Sequence, residues 1–285
     1  MGKRVFITSM VLALNAVSGV AIWQLGTGGM VLSWFGALMA SLPLPLALNY
    51  WLVSKRTSRT SAGFPLVVWP TAAGSVLAAL PLLGVGGPGS WLAAVLAAAS
   101  LGSVLAYVYW YSVFGRAPSA ALAVGQRLPQ FVLENTAGVE VCSSSFVGSP
   151  SVLMFYRGNW CPLCMAQIKE IAALYRELDA RGAKVRLVSP QPHDNTQQLA
   201  ARFDVPFDFL VDRDNRAATA LGIASPDGIP VGLELMGYET QTVMPTVVIT
   251  DAEGTILMCD ETDNYRVRPE PETFLRVLDA HAAGA

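Results

Sequence analysis

The chain has 285 residues, of which 53% are hydrophobic and only 14% charged, and its mean hydropathy is +0.43. A net charge of −2 without basic residues clustered among aromatics excludes a nucleic-acid face, and four cysteines over this length exclude a disulfide-built scaffold. So little charge in so long a chain points to a membrane portion joined to a soluble one.

From Val5 to Val53 no residue is charged, and a GTGG break divides the stretch into two apolar runs. Two more follow the basic loop SKRTSRTSAG and are separated by the turn GGPGS. Each run is long enough to cross about 30 Å of hydrocarbon as a helix, which predicts four spans at about residues 5–23, 30–53, 64–85 and 91–114. Pro43, Pro45, Pro70 and Pro81 should bend these helices without abolishing them, because neighbouring helices can satisfy the freed carbonyls. Trp51, Trp110 and Tyr111 fall near span ends, where interfacial aromatics belong. Lys3 and Arg4 precede the first span, Lys55, Arg56 and Arg59 separate the second from the third, and Arg116 follows the fourth. The positive-inside rule then places both termini in the cytoplasm. The spans hold no Cys, Asp, Glu, Lys, Arg or His, so they carry neither thiol nor proton relays and read as an anchor. Asn15, Gln24 and Asn49 are their polar residues, expected to bridge helices.

The transmembrane region is therefore residues 1–116, followed by a linker, 117–123, and a second domain, 124–285. In that domain FVLEN and GVEVC predict a hairpin, SVLMFY a buried strand, and Pro162 to Arg181 a helix. A strand at AKVRLVSP, a helix around Asn195 to Phe203, a strand at FDFLVD and a short helix at Arg216 to Leu221 come next. TVVIT and TILMCD predict a closing hairpin, and Glu272 to Ala282 a last helix. Strands alternating with helices argue an α/β domain with a central mixed sheet.

At the junction of the buried strand and its helix stands WCPLC. Cys161 and Cys164 are three residues apart on a first helical turn, so their sulfurs face the same way and can bond with little rearrangement. Pro162 suits the first helical position. Cys161 then sits at the helix N-terminus, where unpaired N–H groups favour a thiolate, making it the expected nucleophile and Cys164 its resolving partner. Arg157 is a candidate cation beside the thiolate, and Trp160 a candidate cover for the site. Pro245 opens the strand TVVIT, where a cis peptide would expose flanking backbone as a docking edge. The pair could also be half of a zinc site, with Cys142, Cys259, His193 or His281 completing it, or two buried thiols; no second CxxC or HxxxH accompanies it. In either of those cases the domain is a binding module. Cys142 and Cys259 lie on predicted strands and read as small buried hydrophobes, and His193 as a loop residue.

WCPLC ahead of a helix, with MPT ahead of a strand, resembles the thioredoxin fold. The wider frame VGQRLPQFVLEN, FYRGNWCPLCMAQIKEI, RLVSPQP, FDFLVDRDNRAATALGI and MPTVVITDAEG resembles the alkyl hydroperoxide reductase and thiol-specific antioxidant family of peroxiredoxin-like proteins. That resemblance covers roughly residues 120–283 and implies an antioxidant thiol-disulfide oxidoreductase. Its substrate would be a peroxide or disulfide and its electron donor thioredoxin or another thiol, with Cys161 attacking and no metal or organic cofactor. Three positions depart from the pattern. Gly158 stands where peroxiredoxins place Thr or Ser, Pro245 where they place an Arg, and Phe155 where thioredoxins carry a buried acid.

Overall fold

The computed structural model describes residues 2–84, 87 and 89–284, and the chain separates into two compact units, Met1–Ser54 with Thr60–Val113 and Lys55–Arg59 with Phe114–Ala285. The first unit is helical: α1 (Gly2–Gly26), α2 (Val31–Ser41), α3 (Pro43–Ser54), α4 (Pro65–Ala79) and α5 (Ser90–Ala106). A 3-10 turn, Leu80–Leu83, extends α4, and a π-helical turn, Tyr107–Tyr111, extends α5. Counted through these joints, four helices are long and apolar enough to cross a membrane. The predicted span 30–53 is two helices, because Pro43 has no N–H to continue the ladder begun in α2. Pro70 is carried within α4. Val85, the last residue of the predicted third span, and Gly86 and Pro88 of the following turn lie outside the described residues.

Small residues build this unit. Ala21, Ala37, Ala40, Ala78, Ala93 and Ala97 surround the buried Trp34, and α2 meets α4 at Gly36 and Gly74. A Cβ on Gly74 would lie 2.6 Å from the Gly36 carbonyl oxygen, so the two backbones touch. Serines supply polar links between helices: Ser18 Oγ lies 2.8 Å from Ser41 Oγ, and Ser75 Oγ donates to the Ala97 carbonyl at 3.0 Å. Asn15 and Asn49, expected to bridge helices, donate instead to carbonyls four residues back in their own helices, Val11 and Pro45. Outward, Leu66, Leu83, Val53 and Trp69 are 72–86% exposed.

The second unit is a three-layer α/β domain. Its strands are β1 (Val132–Glu134), β2 (Glu140–Cys142), β3 (Ser151–Phe155), β4 (Lys184–Ser189), β5 (Asp208–Val211), β6 (Ala224–Ser225), β7 (Thr242–Val243), β8 (Thr246–Thr250) and β9 (Ile256–Asp260). Seven of them form one mixed sheet in the order β2-β1-β5-β4-β3-β8-β9, with β3, β4 and β5 parallel and the other pairings antiparallel. The remaining two, β6 and β7, pair as a short ribbon absent from the sequence reading, since two-residue strands leave no periodicity. The helix predicted from Pro162 to Arg181 breaks at Leu174 into α6 (Pro162–Ala173) and α7 (Tyr175–Asp179); α8 (His193–Ala200), α9 (Arg216–Ala220) and α10 (Pro271–Gly284) complete the layers. The stretch 117–123, read as a linker, is packed onto this unit, with Leu122 buried in its core beside Phe131, Leu153 and Val248. Every residue of β3 is buried, as befits an interior strand between β4 and β8, and its C-terminal end, where α6 begins, is the site-bearing edge.

Candidate active site

Between β3 and α6 the chain turns through residues 156–160, and glycine makes that turn possible. Gly158 has φ +140°, and a Cβ there would lie 2.7 Å from Trp160 Nε1. A hydroxyl-bearing residue at this position would be strained and would have to displace the Trp160 indole. Gln191, buried after β4, holds the turn: its Oε1 accepts from the Asn159 N–H at 2.7 Å while its Nε2 donates to Tyr156 and Thr196, both at 3.1 Å. On the other side lies the segment 226–241. Tyr238 donates its hydroxyl to Asn159 Oδ1, Arg157 donates to the Gly228 carbonyl, and Thr242 Oγ1 donates to the Arg157 carbonyl at 2.8 Å. The Arg157 guanidinium stacks 4.7 Å from the Trp160 ring and 5.4 Å from that of Tyr265. Arg157 and Trp160 thus act together as a brace for the turn.

Cys161 is the N-cap of α6 and Pro162 occupies its first turn. The two thiols are free and buried, Cys161 2% and Cys164 0% exposed, and their sulfurs are 2.8 Å apart, close enough to share one proton. Facing both is a residue the sequence reading missed. Arg268, 6% exposed, places Nη2 3.4 Å from Cys164 Sγ and 3.9 Å from Cys161 Sγ. Its Nε donates to the Tyr265 carbonyl at 3.0 Å and its Nη1 to Gln167 Oε1 at 2.9 Å. Gln167 lies one turn beyond Cys164 on α6. Because guanidinium has only donors, it fixes the Gln167 amide with oxygen inward, and Gln167 Nε2 is left buried without an acceptor among the described residues.

This arrangement places the charge differently from the sequence expectation. Burial works against ionising Cys164, but the hydrogen bond with Cys161, the Arg268 charge and the Arg157 backbone N–H outweigh it, lowering Cys164 to about 5. Cys161 is pushed well above its ordinary value, first by burial and then by the hydrogen bond and charge of Cys164. The pair therefore holds one thiolate and one proton, with the thiolate on Cys164 beside the guanidinium. Position 155, where an acid was absent from the pattern, is a core phenylalanine; a cation next to Cys164 takes the place of an acid beneath it.

Pro245 departs from its expected role as a docking edge. Among the described residues every peptide bond is trans, the Met244–Pro245 bond included. The Met244 N–H is bonded to the Ile223 carbonyl, and the Pro245 carbonyl accepts from Arg116 Nη1 at 3.2 Å, so the flanking backbone is already paired. Pro245 instead lines a small cavity of about 10 Å³ with Gln167, Tyr265 and Arg268. Cys142 and Cys259 are half-buried, and burial pushes Cys259 up to about 12. His193 opens α8, 2.6 Å from Glu134 Oε2, in an ion-pair cluster with Arg213. Among the described residues no group of three or more His, Cys, Asp or Glu is gathered as for a metal, and a guanidinium against both sulfurs opposes a divalent cation there.

Residues 124–258 match the model of the AhpC/TSA family. Among curated proteins, "Putative peroxiredoxin bcp" of Helicobacter pylori is 32% identical over 97 residues, 34% of this chain and 64% of that protein. The chain thus spans a little under two thirds of that relative. The thiol-disulfide oxidoreductase ResA of Geobacillus thermodenitrificans is 28% identical over 122 residues, 42% of this chain and 68% of that protein. A solved peroxidoxin, BcpB from Mycobacterium tuberculosis, superposes with a TM-score of 0.47 at 20% identity, covering 56% of this chain and 97% of that one.

Proposed function

We propose, from the premise that residues 124–258 are a thioredoxin-fold redoxin domain of the AhpC/TSA family, that this protein is a membrane-anchored, peroxiredoxin-like thiol-disulfide oxidoreductase with antioxidant activity. The observation that carries the reading is the buried thiol pair, 2.8 Å apart, under the Arg268 guanidinium. The shared proton passes to Cys164, and the Cys161 thiolate attacks the terminal oxygen of a hydroperoxide. An S–O bond forms, the O–O bond breaks, and the departing alkoxide takes the Cys164 proton to leave as an alcohol. Cys164, again a thiolate beside Arg268, then attacks Cys161 sulfur, releasing hydroxide that solvent protonates, and the Cys161–Cys164 disulfide results. Thioredoxin or another thiol returns two electrons.

Hydroperoxide is the leading substrate because sulfurs only 0–2% exposed admit a small molecule more readily than a protein disulfide. The ResA likeness supports the second reading, disulfide exchange through a mixed disulfide on Cys161. Anchoring is supported by the four apolar helices and by their large exposed apolar side chains, a surface suited to lipid. The positive-inside rule puts the redoxin domain in the cytoplasm.

Stopped-flow mixing of the reduced full chain with hydrogen peroxide tests the catalytic reading. Two thiols should be lost in wild type, none rapidly in Cys161→Ser, and in Cys164→Ser a sulfenic acid should accumulate. A wild-type rate no faster than that of free cysteine removes the peroxidase, and failure of disulfides to oxidise the pair as well removes the oxidoreductase.

A further inference from the structure

Arg268 is a buried cation whose counter-charge comes from the sulfurs. Among the described residues no carboxylate is bonded or ion-paired to it; its other partners are the Tyr265 carbonyl and the Gln167 amide oxygen, which are dipoles. While the pair is reduced, the thiolate 3.4 Å away neutralises it. Once Cys161 and Cys164 join as a disulfide, both sulfurs are uncharged and Arg268 is left in the interior with no anion. A buried charge stripped of its partner is strongly unfavourable, so the oxidised state bears a penalty that the reduced state does not. A dithiol whose reduced form is selectively stabilised is a strong oxidant as a disulfide.

We propose that Arg268 makes the Cys161–Cys164 disulfide an oxidising one, so that low-molecular-weight monothiols suffice as its electron donor. The inference rests on the disulfide cycle described above and names its reductant. Geometry also selects the sulfur that is attacked. Cys161 is at the N-cap and retains 2% exposure where Cys164 has none, and Cys164 leaves as the thiolate held by Arg268, the lower-pKa group leaving faster. A first monothiolate forms a bond to Cys161 Sγ while the Cys161–Cys164 bond breaks. A second attacks the outer sulfur of that mixed disulfide, giving the external disulfide and the Cys161 thiol. Two monothiols supply two electrons; of their two protons, one stays on Cys161 and one is released because Cys164 remains ionised.

Equilibrating the full chain in detergent with glutathione and glutathione disulfide, then counting alkylated thiols by mass, tests this. The wild-type disulfide should be reduced by excess glutathione, and the equilibrium constant for reduction should rise about tenfold for each pH unit between pH 6 and 8, one proton being released per turnover. Arg268→Met should shift that constant at least tenfold toward the disulfide, about 30 mV, and remove the pH dependence, whereas Arg268→Lys should keep most of both. A pH-independent wild-type constant, a wild-type disulfide that persists in excess glutathione, or a folded Arg268→Met with the wild-type constant would each overturn the role of Arg268. The wild-type arms hold even where Arg268→Met does not fold. A pair that forms no disulfide under any oxidant would instead overturn the cycle itself.

Discussion

The two units solve the problem of a crowded interior in opposite ways. The helical unit packs Ala, Gly and Ser backbone to backbone, and its core around Trp34 contains no ionisable group. The α/β unit has a core of aromatic and branched side chains, yet it also buries Arg157, Arg186, Arg266 and Arg268. In the first unit close backbone approach leaves little room for added atoms, so the damaging change is one of volume. In the second a buried charge must keep its partner, so stability depends on proton and electron count as well as on shape.

Shape in the helical unit is most directly broken at Gly74. In Gly74→Val the added atoms would meet the Gly36 carbonyl oxygen and the Ala40 backbone, neither of which can rotate away. The α2–α4 contact should open at a cost of about 3 kcal/mol or more, toward the upper end for overpacked cores. Hydrogen exchange on the full chain in detergent should show protection lost in α2 and α4 but kept in β3 and β4. Loss of protection in these strands would mean that the two cores are not energetically separate.

The next largest effect is one the helical unit cannot show, a stability that follows pH through a thiol. The Cys164 value is lowered, to about 5 from an ordinary 9.0, so its contribution is fully present above about pH 9 and is lost as pH falls toward 5. Between pH 6 and 8 the reduced domain should gain stability steadily as pH rises, because the unfolded chain holds a proton on Cys164 that the folded one does not. The disulfide form, which has no thiolate, should lack this slope. Protection of β3 and α6 amides, compared between reduced and oxidised protein across that range, measures the difference; parallel slopes would dismiss the thiolate as a stabilising charge.

How much of this could be read from the chain follows the same division. The four apolar helices were legible because hydrophobic length is a local property, and the placement of Cys161, Pro162 and Cys164 was legible because strand, turn and helix signals converge within a few residues. Arg268 was not. It lies 104 residues from Cys164 in the aperiodic run NYRVRPEP, and its only signal is an arginine alternating with Val267 three residues before the proline that starts α10. The β6–β7 ribbon was hidden because it depends on tertiary pairing. Pro245 was overread: a proline opening a strand marks a strand start, but whether the neighbouring backbone is free depends on Ile223 and Arg116, which sequence spacing does not reveal.

A smaller effect tests the turn that joins the two kinds of constraint. Gly158→Thr restores the residue type that peroxiredoxins carry, yet φ +140° and the Trp160 ring oppose any Cβ at this position. The variant should lose about 1–3 kcal/mol to backbone strain and react with peroxide more slowly than wild type. A faster reaction would mean that the missing hydroxyl, and not the packing of Trp160, limits the site.

The mildest change separates access from reactivity. Tyr238 donates its hydroxyl to Asn159 Oδ1 and ties the segment 226–241 to the turn before Cys161. Tyr238→Phe keeps the ring and removes one hydrogen bond, worth about 1 kcal/mol. If the buried thiols react only after this segment lifts, the open population should rise roughly fivefold, and alkylation of the pair by iodoacetamide should accelerate by the same factor. The midpoint of its pH–rate profile should not move, because Arg268 and the sulfurs are untouched. A shifted midpoint would show that Tyr238 acts on the thiolate itself, and an unchanged rate would show that the route to Cys161 lies elsewhere.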